Sequence, residues 1–329
     1  MFYVAGNLAG VRSVLRALRW VTATELVLLI ALAAAGAIYE QRCRARDRRE
    51  FPPPGRLVDL GGYKLHIQCA GPSLAGSPTV VLDSGLVGSV LDWRRVFPQV
   101  ARFARVCAYD RGGYGWSESS PRHRDLDGIT ADLHDLLEKS GERPPYILVG
   151  HSLGGLNLWA FASRYPAEAA GLVLVDSAHP RQSFYFPYLE RVRMQLLRWT
   201  LPFGLPRWRG WCGGPDRIRS VETAVACQPR YQRSFYQQRD AMPQYLADAR
   251  RLPALGSLPG IVVSRDFQPS RADALQESRW RDWQQDLSRI FSVSSSVTAE
   301  GSGHDIPNER PDVIVQAIRD LLARINRSS

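Results

Sequence analysis

From Arg56 onward the apolar residues fall into short unbroken runs, separated by longer stretches in which they recur every three or four positions. The runs are Thr79–Leu82, Arg105–Tyr109, Tyr146–Val149, Gly171–Val175 and Gly260–Val263, rich in Val, Leu and Ile and bounded by Gly, Pro, Asp or Ser. Continuous apolar runs of this length suit strands buried on both faces of a parallel sheet. Arg56–Leu60 and Tyr63–Cys69 flank Gly61-Gly62, which predicts a hairpin. Helical patterning covers Val90–Phe103, Ile129–Ser140, Gly155–Tyr165 and Pro311–Ile325; in the second, Leu133, Leu136 and Leu137 form one apolar stripe. Strand and helix signals alternating at this spacing predict a mostly parallel, doubly wound α/β sheet with right-handed crossovers.

Two segments depart from that pattern. Residues 181–250 are rich in aromatics and Arg and lack short Val/Ile runs, so they read as a helical cap inserted between sheet strands. Within it Leu189, Val192, Leu196 and Trp199 fall near one helical face, suited either to packing on the α/β domain or to a lipid surface. At the other end, Val21–Tyr39 is nineteen residues long with one charge, Glu25, which is enough to cross a hydrocarbon core as a helix. The expected organisation is a basic segment 1–20, a single membrane span 21–39, a basic and Pro-rich linker 40–55, a catalytic domain 56–180 and 251–329, and the cap 181–250. The small residues Ala35-Gly36-Ala37 also suit a signal-peptide cleavage site. The basic cluster from Arg42 to Arg49 favours a retained anchor. Five Arg follow the span and three precede it, which points the catalytic domain toward the cytoplasm. A disulfide between Cys212 and Cys227 would point the other way, so the side stays open.

The net charge of +10 is unevenly placed. Residues 1–50 hold eight Arg against four acids, and residues 181–250 hold twelve Arg against five acids, leaving the remainder near neutral. No zinc-finger spacing, helix-turn-helix pattern or aromatic RNA-binding signature accompanies the charge, so nucleic acid is not an expected partner. The five cysteines form no CxxC and no metal-ligand spacing with His. Neither a metal nor an organic cofactor is expected. Cys69 and Cys107, within strand-like runs, read as buried free thiols. Oligomeric state is not legible.

Chemistry enters at Tyr146–Gly155, where a buried strand runs through Gly150-His151-Ser152-Leu153-Gly154 into a helix. A nucleophilic serine needs a sharp turn that lifts its Oγ above the sheet edge, and Gly150 and Gly154 leave room for it. The helix that follows aims its N-terminal N–H groups at a developing oxyanion. With this motif, and with Asp110-Arg111-Gly112-Gly113-Tyr114-Gly115-Trp116-Ser117, the chain from about Gly55 to Ile325 resembles the α/β-hydrolase superfamily. The resemblance implies Ser152 as nucleophile, backbone N–H groups of Leu86 and Leu153 as the oxyanion hole, and a structural role for the Asp110–Ser117 loop. Asp83-Ser84-Gly85-Leu86 has Ser84 where many members carry His.

His304, in Gly301-Ser302-Gly303-His304, lies where the family places its catalytic histidine, after the final strand. Two carboxylates compete for the third role. Asp176 ends the apolar run Leu172–Val175 at the carboxyl edge of the sheet, while Asp266 follows the run Ile261–Val263 slightly ahead of the family's G-x-x-D position. The set Ser152, His304 and Asp176, with Asp266 as the alternative acid, implies cleavage of a small-molecule ester or acyl substrate through an acyl-enzyme. Aminopeptidase, C–C bond hydrolase and acyltransferase chemistry use the same residues. A membrane-tethered binding protein without catalysis is the other class.

Overall fold

The computed structural model describes residues 3–73, 76–183, 187–209, 217–266 and 274–328. It divides into two compact units, one formed by Met1–Pro52 with Pro187–Pro229, the other by Pro53–Phe186 with Arg230–Ser329.

The larger unit holds an eight-stranded sheet: β1 Arg56–Asp59, β2 Lys64–Ala70, β3 Thr79–Asp83, β4 Val106–Tyr109, β5 Tyr146–His151, β6 Ala169–Val175, β7 Gly260–Arg265 and β8 Ser294–Ala299. The order across it is β1-β2-β4-β3-β5-β6-β7-β8. β1, β2 and β4 pair antiparallel, and every pair from β4 to β8 is parallel. All residues of β3, β4 and β5 are buried, so their middles are apolar, while buried Asp83 and His151 end β3 and β5 at the site edge. Alternate side chains feed two cores. Leu148, Leu172 and Leu174 meet the helices Leu126–Lys139 and Leu153–Arg164 on one face. Ile147, Val149, Val173 and Val175 meet Ile314, Ile318 and Leu321 of the helix Pro311–Ser328 on the other. The Leu133/Leu136/Leu137 stripe is fully buried.

Local chemistry sets the edges. Gly61 (φ +104°) and Gly62 (φ +99°) make the β1–β2 turn, and both their N–H groups donate to Asp59 Oδ1 at 2.8 and 3.0 Å. Backbone of that hand is open to glycine and strained for most other residues. The region expected as one helix, Val90–Phe103, is instead a 3-10 turn Val90–Trp93 and a short helix Phe97–Val100. Pro98 explains the break: it lacks an N–H and is tolerated only in a first helical turn.

Cys69 and Cys107 are not free thiols. They lie opposite each other in the antiparallel β2–β4 register, Cα atoms 4.1 Å apart, and form a disulfide. Closely opposed antiparallel positions bring two Cβ atoms within bonding reach. The pairing of Cys212 with Cys227 falls partly outside the described residues.

In the smaller unit a single helix runs from Tyr3 to Glu50, about 70 Å long. It continues through residues 40–50, expected as linker, and ends just before Pro52-Pro53-Pro54. Residues 10–32 are exposed on every side, large apolar ones such as Leu26, Leu29 and Leu32 included. From Ala33 on, one face is covered: Ala33, Gly36, Ala37, Glu40, Cys43 and Asp47 are half-buried or buried. The segment Leu201–Trp208 covers part of it. A Cβ at Gly36 would stand 2.5 Å from the Phe203 carbonyl oxygen, so only glycine lets the two backbones approach this closely. Beyond Tyr39, Arg207 reaches Glu40 (3.0 Å) and Asp47 (2.8 Å), all three side chains less than a tenth exposed.

The stretch 181–250 contributes helices to both units. Tyr188–Thr200, Leu205–Trp208 and Arg217–Ala226 belong to the smaller one; Leu189, Val192, Leu196 and Trp199 are exposed there. Nearly all of the helix Pro229–Ala249 belongs to the larger one, where Tyr245 is buried and donates to Asn157 Oδ1 at 2.7 Å. Phe184–Phe186 and Trp211 lie outside the described residues.

Candidate active site

β5 ends at His151 and the helix Leu153–Arg164 begins two residues later, leaving Ser152 alone in the turn with φ +51° and ψ −120°. A side chain in that backbone region is strained and is held there by its surroundings. Here the surroundings are explicit. Ser152 N–H donates to Val175 O at 3.0 Å, and Ser152 O accepts from Gly155 N (3.1 Å) and Ala178 N (2.9 Å). A Cβ on Gly150 would lie 2.5 Å from Gly154 backbone, and one on Gly154 would lie 2.3 Å from Asp83 O. Both glycines are required by close approach of backbone.

His304 follows β8 and stands between Ser152 and Asp176. Its Nε2 is 3.1 Å from Ser152 Oγ, and its Nδ1 is 2.5 Å from Asp176 Oδ2. Three positions separated by 24 and 128 residues therefore form one chain of hydrogen bonds. Asp176, like Ser152, has positive φ (+38°). It is fully buried and also accepts from Arg265 N (3.2 Å), Arg265 Nη1 (2.7 Å) and Trp280 Nε1 (2.8 Å). Burial raises the pKa of this carboxyl, but hydrogen bonding from His304 and the Arg265 charge outweigh it, and the net direction is down. It remains a carboxylate that can orient an imidazole and stabilise its cation. Arg265 in turn pairs with Glu277 at 2.6 Å and lies over the Trp280 ring at 4.4 Å. Asp266, the other carboxylate, sits at a different place: its Oδ2 accepts from Gly301 N at 2.8 Å, bracing the turn that precedes His304.

Two residues given no role from sequence support this arrangement. His151 Nε2 donates to the His304 carbonyl oxygen at 2.8 Å. Burial, then the neighbouring His304 ring, push its pKa down to about 4, so it is a neutral tether at pH 7. Arg111, from the Asp110–Ser117 loop, is buried and gathers the carbonyl oxygens of Ser84 (2.6 Å), Gly85 and Leu86 (3.2 Å) while pairing with Asp83. This fixes the Gly85–Leu86 backbone beside the serine; a Cβ on Gly85 would be 3.8 Å from Ser152 Oγ. Trp280 and Glu277 had no signal in the sequence beyond membership of the helix Ala274–Ser288. Trp280 reaches Asp176, and Glu277 reaches Arg265, only because that helix packs beside β7 and β8.

An imidazole bridging a hydroxyl and a buried carboxylate can take a proton from the hydroxyl while the carboxylate offsets the charge gained. Comparisons with known proteins place this geometry in context. Mouse epoxide hydrolase 4 is 32% identical over 158 residues, 46% of this chain and 42% of that protein. The crystal structure of Cfl2 from Burkholderia cenocepacia superposes with a TM-score of 0.62 at 25% identity, covering 81% of this chain and 95% of that one. A thermophilic esterase from Thermogutta terrifontis superposes with a TM-score of 0.59 at 22% identity, covering 82% and 98%; at that identity the likeness is one of fold. The matched segments span 42–56% of the first curated relatives' own length. Residues 78–258, more than half of the chain, match the alpha/beta hydrolase fold family, and they contain the Ser152 turn, Asp176 and the Arg111 loop. The chain belongs to the alpha/beta hydrolase fold family.

Proposed function

We propose that the protein is a serine hydrolase of carboxylic esters, tethered to a bilayer by its N-terminal helix. The observation that carries the reading is the unbroken chain Ser152 Oγ, His304, Asp176, with distances of 3.1 and 2.5 Å. Ser152 Oγ attacks the ester carbonyl carbon as His304 Nε2 takes its proton. The carbonyl oxygen becomes an oxyanion facing the Leu86 and Leu153 N–H groups, at the N-terminus of a twelve-residue helix. Collapse breaks the C–O bond to the alcohol, which leaves with the proton from His304. Water then attacks the acyl-enzyme, gives its proton to His304, and the proton returns to Ser152 Oγ as the acid is released. The reading calls for no metal or cofactor. Family members that open epoxides use an Asp nucleophile; position 152 is Ser, which favours ester over epoxide.

A fluorophosphonate probe tests the proposal. The full chain is labelled and hydrolyses short acyl esters; Ser152→Ala is unlabelled and at least about 10³-fold slower, as expected when triad residues act as a unit. Labelling that persists in Ser152→Ala would overturn it.

A further inference from the structure

The smaller unit contains an apolar groove of about 560 Å³, inside the range of small-ligand sites. Its floor is Leu32, Ala33, Ala35, Gly36 and Tyr39 of the N-terminal helix, and its wall comes from Thr200–Trp208. Among the described residues no charged side chain lines it. Phe203 and Trp208 stand 44% and 69% exposed at its edge, although large apolar side chains facing water are costly. The floor is small because Phe203 backbone rests on Gly36, and Ala33 and Ala35 leave open the space beside it.

We infer that this groove seats one acyl chain of a bilayer phospholipid, an inference that rests on the bilayer reading of the N-terminal helix. The occupant follows from continuity. The groove floor is the last two turns of the apolar stretch Val21–Tyr39, and the turns before it are bare on all sides. Hydrocarbon is the solvent that suits such a surface, and the groove floor continues that surface along the same helix. Beyond Tyr39 the helix becomes polar: Glu40 and Asp47 share buried Arg207, while Arg42 and Arg48 are exposed. Their charge suits the phosphate of the lipid whose chain lies in the groove. The wall thus replaces part of the lipid shell around the span and holds one chain in a fixed place.

Photolabelling in nanodiscs carrying one copy of the full chain each tests this. The discs contain phosphatidylcholine and phosphatidylglycerol, with a trace of phosphatidylcholine bearing a diazirine near the end of one acyl chain. Adducts are expected on Val21–Leu32, from bulk lipid, and on Thr200–Trp208, from the groove. Ala35→Trp, which fills the groove from its floor, should cut the second set at least about fivefold and leave labelling of Val21–Ala31 unchanged; Leu32→Trp does the same from the N-terminal end of the floor. Labelling of Val21–Leu32 without Thr200–Trp208, or labelling of Thr200–Trp208 indifferent to both substitutions, would overturn the groove. Absence of both sets would overturn the bilayer reading as well. Fluorophosphonate labelling of Ser152 in the same discs reports on the hydrolase proposal separately.

Discussion

At the scale of single residues the site turns on which carboxylate His304 can reach. Asp176 accepts four hydrogen bonds, one of them from His304, whereas Asp266 accepts from Gly301 N. Asp176→Asn should keep the fold and lower kcat/KM by about 10⁴, and Asp266→Asn should cost roughly tenfold or less by loosening the His304 turn; steady-state kinetics of the two variants decide between them. His151 supplies a pH signature. Its folded pKa, about 4, lies below the ordinary value of about 6.5. As pH falls from about 6.5 to about 4, the unfolded chain binds a proton there that the folded chain refuses. Stability therefore declines over that window, on the order of 3 kcal/mol. His151→Gln, which keeps a donor for the His304 carbonyl, should flatten the fall in Tm between those pH values. An unchanged slope would assign the acid sensitivity elsewhere.

Among the elements, the central strands β3–β7 are legible because burial on both faces favours apolar residues, and the Gly61-Gly62 hairpin because its backbone demands glycine; Ser-rich, mostly exposed β8 carries no such signal. The Ser152 turn was legible because strand, glycines and helix announce it together. The acid was not settled by sequence. An Asp at the end of β6 could be placed at the sheet edge, but its φ of +38° and its Trp280 partner 104 residues away arise only from packing. The expected helix through Pro98 is broken because apolar periodicity carries no sign of the N–H that proline lacks. The contact between the N-terminal helix and Leu201–Trp208 was illegible for a similar reason: Gly36 looks like part of a small-residue run until Phe203 rests on it. Its strength can be measured. Arg207→Ala takes from buried Glu40 its ion-pair partner, leaves buried Asp47 to exposed Arg46 at 3.8 Å, and should destabilise the smaller unit by about 3–5 kcal/mol. Combining it with Glu40→Gln and Asp47→Asn should restore most of the loss, read by thermal melting of the full chain in detergent.

For the molecule as a whole, charge and covalent structure give different answers about place. The Arg count around the span, five after and three before, favours a cytoplasmic catalytic unit. The Cys69–Cys107 disulfide closes a loop across 38 positions, worth about 4 kcal/mol in the chain-entropy account, and persists in oxidising surroundings. We expect the disulfide to decide. With residues 21–39 crossing the bilayer as proposed, Cys43, the free cysteine among the described residues, marks the side on which the chain emerges. In intact cells a membrane-impermeant maleimide should reach it; labelling only after lysis would return the unit to the cytoplasm. Joining β2 to β4 also gives the chain a covalent record of where it matured. Protein made in a reducing cytosol and protein exported before folding would share every residue and differ in this bond. The fraction that runs faster on a non-reducing gel then measures how much of a preparation passed through the membrane before its sheet closed.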